Sequence, residues 1–170
     1  MKYGGQTMIV VYTSPGCASC RKVKQWLKDR NLKYIEKNIF STLLNENEIP
    51  PMNLLLLADP SQKIVEGYLN RGDCYIAESD NQVIGVYILL PTSPETVEVA
   101  NIAVVEKHHG KGIGKMLVIN AIQTAKKKGY KKCGFRITGI DIDFFIRCYQ
   151  EEIFENGIQC RDMIRLTQYL

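Results

Sequence analysis

A chain of 170 residues, 45% hydrophobic and 24% charged, has the make-up of an ordinary globular domain, which argues against a disordered protein. The net charge of +4 is too mild to indicate direct nucleic-acid binding, which needs a clustered basic face. The most apolar short stretch, Leu54 to Ala58, falls far short of a bilayer, so no membrane span is expected, and with no signal peptide in view a cytoplasmic location is the expectation.

In chain order, Met8 to Thr13 (MIVVYT) reads as a short strand that Ser14, Pro15 and Gly16 break. From Ala18 to Arg30 the period turns helical, with Val23, Trp26, Leu27 and Arg30 on one face, so Trp26 is expected in the core. Leu32 to Ile39 reads as a second strand, which completes a β-α-β unit. Two short helices follow, Pro51 to Ala58 and Ser61 to Asn70; Asp59-Pro60 separates them and Ser61 caps the second. Cys74 to Glu78 and Val83 to Leu90 form a hairpin about Ser79 to Gln82. Thr96 to Val105 is a further strand, and the loop His108 to Gly112 leads into a helix from Ile113 to Lys128, closed by Gly129. Strands are expected at Phe135 to Ile140 and Asp162 to Leu170, with an aromatic connection (Phe144, Phe145, Tyr149) and a turn at Asn156-Gly157 between them.

Of the six cysteines, only Cys17 and Cys20 are close in sequence. Cys74, Cys133, Cys148 and Cys160 read as small buried hydrophobes. No second Cys or His pair joins Cys17 and Cys20, so no metal is expected. The pair itself forms a C-x-x-C where a strand meets a helix. Cys17 at the helix start would have its thiolate favoured by the dipole, with Cys20 one turn on as the resolving thiol; two buried cysteines are the plain alternative.

The segment His109-Gly110-Lys111-Gly112-Ile113-Gly114-Lys115 stands between a strand and a helix. A helix start presents unpaired N–H groups and partial positive charge, and glycines let the backbone approach an anion closely. A P-loop fails here, because His109 fills its first glycine position and Met116 its hydroxyl position. A dinucleotide fingerprint fails on spacing, which is G-x-G-x-G.

What the segment does resemble is the pyrophosphate loop of GNAT-type N-acetyltransferases, a Gln or Arg followed by x-x-Gly-x-Gly or Ala, with His109 departing at the first position. The resemblance runs from about Pro50 to Leu170. Cys74 to Leu90 is similar to the second and third strands of that fold, and Thr96 to Val105 to the fourth, whose edge splays to admit the pantetheine arm. It implies acetyl-CoA as cosubstrate, held by Val104, Val105, His109, Gly110, Lys111, Gly112, Ile113, Gly114 and Lys115. It also implies direct attack of a small-molecule or peptide amine on the thioester, with Glu98 as candidate base; an ordinary strand carboxylate is the alternative for Glu98.

One stretch of that pattern is absent. In the family a further strand and helix precede the run seen here as Cys133-Gly134-Phe135, and that helix ends in a tyrosine that protonates the departing thiolate. Here Lys132 runs straight into Cys133, so about 20 residues, one strand and a short helix, are missing. Tyr130 keeps the same offset from Cys133. It reads either as that acid or as the turn residue after the Gly129 helix stop. Exposed sheet edges are the expected consequence, and with them pairing into a homodimer.

Met8 to about Glu48 resembles the start of the Spx and arsenate-reductase-like family, a thioredoxin-type fold, through Arg21-Lys22, Trp26-Leu27 and Glu36 to Ser41. That resemblance implies a redox-sensing regulator that contacts RNA polymerase. The fold class expected is α/β: a GNAT-like mixed sheet flanked by helices, lacking one strand and one helix, over 49–170, preceded by a partial thioredoxin-like β-α-β unit over 1–48. The usual first strand of the GNAT sheet would lie near this junction, and Leu32 to Ile39 is the candidate to replace it.

Overall fold

The computed structural model describes residues 2–3, 6–14, 18–45, 47–155 and 158–170, with the backbone alone at 2–3, 6–7, 132–138, 155 and 168. Cys17 and the Asn156-Gly157 turn lie outside the described residues. The elements run β1 (Lys2–Tyr3), β2 (Gln6–Thr7), β3 (Ile9–Thr13), α1 (Ala18–Asp29), β4 (Tyr34–Asn38), β5 (Phe40–Leu43), α2 (Met52–Ala58), α3 (Gln62–Leu69), β6 (Asp73–Ser79), β7 (Gln82–Ser93) and β8 (Thr96–Val104). A 3₁₀ turn at Glu106–His108 leads to α4 (Ile113–Lys127), β9 (Lys132–Asp141), α5 (Phe144–Cys148), β10 (Phe154–Glu155), β11 (Ile158–Gln159) and β12 (Met163–Tyr169).

The main sheet has six strands in the order β12-β9-β8-β7-β6-β5. Every pair is antiparallel except β8 with β9, so the sheet is mixed. The hairpin between β6 and β7 turns at Asp80 and Asn81, both at positive φ (53° and 58°). Asp and Asn tolerate that conformation, and it matches the right-handed twist of the flanking strands.

β7 is the centre of the protein because it is apolar on both faces. Tyr87 and Leu89 join a core with Leu117, Ala121 and Ala125 of α4. Val86, Ile88 and Leu90 join a second core with Leu54 and Leu55 of α2 and Val65 and Tyr68 of α3. Each fully buried aliphatic side chain contributes about 1.5–3 kcal/mol, so these two cores fix the helices on opposite faces. α4 lies close to the strands because Gly85 leaves room for it: a Cβ there would stand 2.8 Å from Leu117 Cδ1.

The N-terminal unit is the expected β-α-β, with β3 and β4 pairing in parallel from Ile9↔Tyr34 to Thr13↔Asn38. Three sequence expectations are corrected here. Leu32 to Ile39 does not supply the first strand of the main sheet. β4 stays with β3, and Phe40–Leu43 pairs with β6 instead, from Phe40↔Glu78 to Leu43↔Tyr75. Trp26 is not a core residue but 50% exposed, while its neighbour Leu27 is only 4% exposed. α1 rests on just two strands, wide enough to bury Leu27 but not Trp26, whose ring is covered by the Arg30 guanidinium at 4.1 Å. Cys148, read as a buried hydrophobe, is an exposed free thiol on the short helix α5; Cys74 fits that reading, its thiol pushed up to about 11 by burial.

Candidate functional site

α4 begins without a side-chain cap. Its N-cap is Gly112, held at φ 77°. That left-handed geometry costs an L-residue about 1–2 kcal/mol and costs glycine almost nothing. The amides of Ile113, Gly114 and Lys115 precede the first helical hydrogen bond, which Met116 N–H donates to the Gly112 carbonyl at 3.2 Å. The first turn carries no acidic residue. An uncapped helix start with this polarity attracts an anion. Nothing lies within 4 Å of a Cβ built on Gly110 or Gly112, and only Val104 Cγ2, at 3.9 Å, faces one on Gly114. The backbone at all three glycines is therefore open to close approach.

The space is a cavity of about 380 Å³. Of the residues named from sequence it gathers Val104, His109, Gly110, Gly112, Ile113 and Gly114, and it adds Ile102, Ala103, His108 and Val118. Val105 is turned to the other face of the sheet, where its side chain packs against the α2–α3 core. Lys111 reaches back to donate from Nζ to the Lys107 carbonyl at 2.5 Å, and Lys115 is exposed on the first turn of α4. Ile102, Ala103 and Val118 escaped the sequence reading because apolar residues on a strand and a helix look like core; a cavity between the two is not a local property.

His109 is engaged with the strand it follows. Its Nε2 lies 2.7 Å from the Val104 carbonyl. A carbonyl only accepts, so Nε2 carries the proton, and in the neutral ring Nδ1 is left as an acceptor with no proton to offer an anion. His109→Arg replaces this with a permanent charge and five donors. Coenzyme A affinity is expected to rise roughly three- to tenfold at low salt, with the gain shrinking as ionic strength rises. Calorimetric titration at two salt concentrations checks it.

Beyond the loop the sheet opens. β8 and β9 pair only at Thr96↔Lys132 and Val97↔Cys133, and then separate. A second cavity of about 380 Å³ lies along the divergence, bordered by Val97, Glu98 and Val99 of β8 and by Ile164 and Leu166 of β12. It shares Ile102 and Val118 with the loop cavity, so the two form one groove along β8 and α4. A bulge interrupts the β7–β8 ladder beside it: Ile88 opposes Asn101 and Leu89 opposes Val99, leaving Ala100 without an opposite residue. A bulge of this kind frees backbone groups from the ladder and re-aims them.

Glu98 is exposed on the wall of this groove. Tyr130 is elsewhere. Its amide donates to the Ala125 carbonyl at 3.1 Å, directly after Gly129 at φ 85°. Its side chain packs against the α4 core and is not among the residues lining the groove. That is the geometry of a helix stop. At the N-terminus, Cys20 stands in the first turn of α1 and is disulfide-bonded.

The model of the acetyltransferase (GNAT) family matches residues 43–149, more than half of the chain. The chain belongs to the GNAT acetyltransferase family. Among GNAT relatives, the uncharacterized N-acetyltransferase YvbK of Bacillus subtilis is 54% identical over 132 residues, which cover 67% of this chain and 85% of the relative. A GNAT acetyltransferase from Elizabethkingia anophelis, solved with acetyl-CoA bound, superposes with a TM-score of 0.75 at 42% identity over 78% of this chain and 98% of its own. The match to YvbK also measures the expected gap. Its 132 positions fall on 67% of 170 residues, about 114, so about 18 positions have no counterpart in this GNAT chain.

The N-terminal likeness stands as well. A glutaredoxin model matches residues 9–49. Spx 1 of Oceanobacillus iheyensis is 41% identical over 58 residues, which cover 34% of this chain and 44% of that regulator. The chain therefore spans less than half the length of that relative. Among the described residues, no helix is long and apolar enough to cross a membrane.

Proposed function

We propose that this chain binds acetyl-CoA along the groove of β8 and α4 and transfers the acetyl group to the nitrogen of a small-molecule or peptide amine. The observation that carries the reading is the continuity of two features: an uncapped helix start with open glycine backbone, and the cleft where β8 leaves β9. The first suits the pyrophosphate, through the amides of Ile113, Gly114 and Lys115 and the backbone at Gly110 and Gly112. The second suits the pantetheine arm and thioester, between Val97 to Ile102 and the facing strands.

In this reading Glu98 takes the proton of the amine, directly or through water. The amine nitrogen bonds to the carbonyl carbon, the C–S bond breaks, and the thiolate takes a proton. Backbone N–H groups released by the bulge at Ala100 stabilise the developing oxyanion. Incubation with isotope-labelled acetyl-CoA and a broad panel of amines tests the proposal. Labelled product with at least one amine, lost in Glu98→Gln, is the expected result; no transfer together with no coenzyme binding overturns it.

We assign residues 1–48 to the redox-type unit and 49–170 to the acetyltransferase body, with β5 contributed by the first to the sheet of the second. A cytoplasmic site of action fits this composition. Self-association fits the sheet surface left open by the missing segment, where Ile140 and Ile164 pair across β9 and β12 and are 63% and 58% exposed. A second reading, a thiol–disulfide sensor of Spx type that contacts RNA polymerase, is supported by the disulfide-bonded Cys20 at the start of α1.

A further inference from the structure

A larger cleft, of about 790 Å³, lies between the N-terminal unit and the main sheet. Its walls are apolar: Ile9 and Val11 of β3, Val23, Trp26 and Leu27 of α1, and Ile84 of β7. Polar groups gather where the cleft meets the sheet. Ser79 lines it, is only 6% exposed, and its Oγ has no hydrogen-bond partner among the described residues. Both ring nitrogens of His108 are likewise buried and without a partner. Buried polar atoms in native proteins are nearly always bonded, so three unmet atoms around one cavity indicate a missing companion.

The charge around them gives its sign. Burial and then the charges of Lys111, Lys107 and Lys37 hold the His108 imidazole below its usual pKa. All three lysines line the cleft. Asp80, the one carboxylate among the described lining residues, is already ion-paired with Lys37. The polar end of the cleft is therefore electropositive, and the rest of its wall is mostly apolar, with Tyr12, Ser19, Cys20 and Gln82 as its uncharged polar or sulfur-bearing members.

We propose that this cleft is a binding site for a small amphipathic anion, its aromatic or aliphatic body against Val11, Trp26 and Leu27 and its carboxylate, sulfonate or phosphate head received by Ser79, His108 and Lys107. His108 lines both this cleft and the loop cavity, and Lys111 of the glycine loop also borders the cleft. The proposed site does not depend on the acetyl-transfer reading.

Anilinonaphthalenesulfonate and its uncharged counterpart phenylnaphthylamine share one ring framework and differ by the sulfonate, which makes them a matched pair for the test. Trp26 is the chain's one tryptophan and stands in the wall, so a ligand in the cleft quenches it by energy transfer. The sulfonate is expected to bind one-to-one to the full chain and to quench Trp26 in step with saturation. It should bind at least about tenfold more tightly than the uncharged ring. Lys107→Glu, an exposed site that leaves folding intact, should weaken the sulfonate about fivefold or more and leave the uncharged ring within about twofold. His108→Leu, which keeps bulk and removes both nitrogens, should act in the same direction. Equal affinity for the two compounds, binding without Trp26 quenching, indifference to both substitutions, or one-for-one displacement by coenzyme A each overturns the proposal.

Discussion

Gly114→Leu is expected to lower coenzyme A affinity at least tenfold while leaving the protein as stable as before, or more so. The two effects come from different physics. Gly114 lies in the first turn of α4, and its φ is not in the left-handed region. Only Val104 Cγ2 would meet a Cβ there, at an ordinary 3.9 Å. Leucine therefore fits the apo protein and recovers up to about 0.8 kcal/mol of helix propensity. Its side chain fills the space through which a phosphate would reach the helix amides. Bonds from backbone N–H to a charged acceptor contribute about 1.5–3 kcal/mol each, so losing even one amounts to a factor of ten or more. Gly112→Ala is the contrasting case. It should weaken coenzyme binding too, but with about 1–2 kcal/mol of destabilisation, because φ 77° excludes a side chain. Thermal melts and calorimetric titrations of both variants separate the effects. Unchanged coenzyme affinity in Gly114→Leu would mean that the anion binds elsewhere.

What was legible in the sequence was local. The turn at Asp80-Asn81, the Ser61 cap, which accepts from Ile64 N–H at 3.5 Å, the strand–loop–helix around Gly112 and the stop at Gly129 each depend on a few adjacent residues. What was not legible depends on partners far along the chain. Phe40–Leu43 reads no differently from the strand before it, and only its pairing with β6 places it in the main sheet. Trp26 follows the helical period correctly, yet the period says only which face turns inward, not how wide a surface waits there. In the sequence His108 is simply the first residue of the loop that leads into α4. Its burial comes from the other end of the chain, where Tyr12 stands edge-on to it with ring centroids 6.3 Å apart. Val105 continues an apolar run from β8, and the face it takes is set by its amide donating to the Ile84 carbonyl at 3.0 Å.

Restoring the absent segment should change activity more than any point substitution. About 18 positions of the GNAT relative YvbK have no counterpart here, and the sequence pattern places the break between Lys132 and Cys133. The structure has the form such a loss would leave. α4 stops at Gly129, and β9 starts at Lys132, two residues after Tyr130, in parallel beside β8 for only two positions. No helix intervenes to carry a side chain into the cleft. A positioned general acid contributes roughly a hundred- to ten-thousandfold to a proton transfer. Without one, the departing thiolate must take its proton from solvent, so acetyl transfer by this chain is expected to be weak. Inserting the relative's segment after Lys132 should raise turnover at least about a hundredfold. It should also cover Ile140 and Ile164 and shift the protein toward monomer in gel filtration. Tyr130→Phe in the unmodified chain should change turnover less than about twofold, because its amide closes the helix and its ring packs against the α4 core, away from the groove. The opposite pattern, brisk turnover by a monomer that Tyr130→Phe abolishes, would make Tyr130 the acid and would mean that the chain has rebuilt across the gap what the missing helix supplies in its relatives.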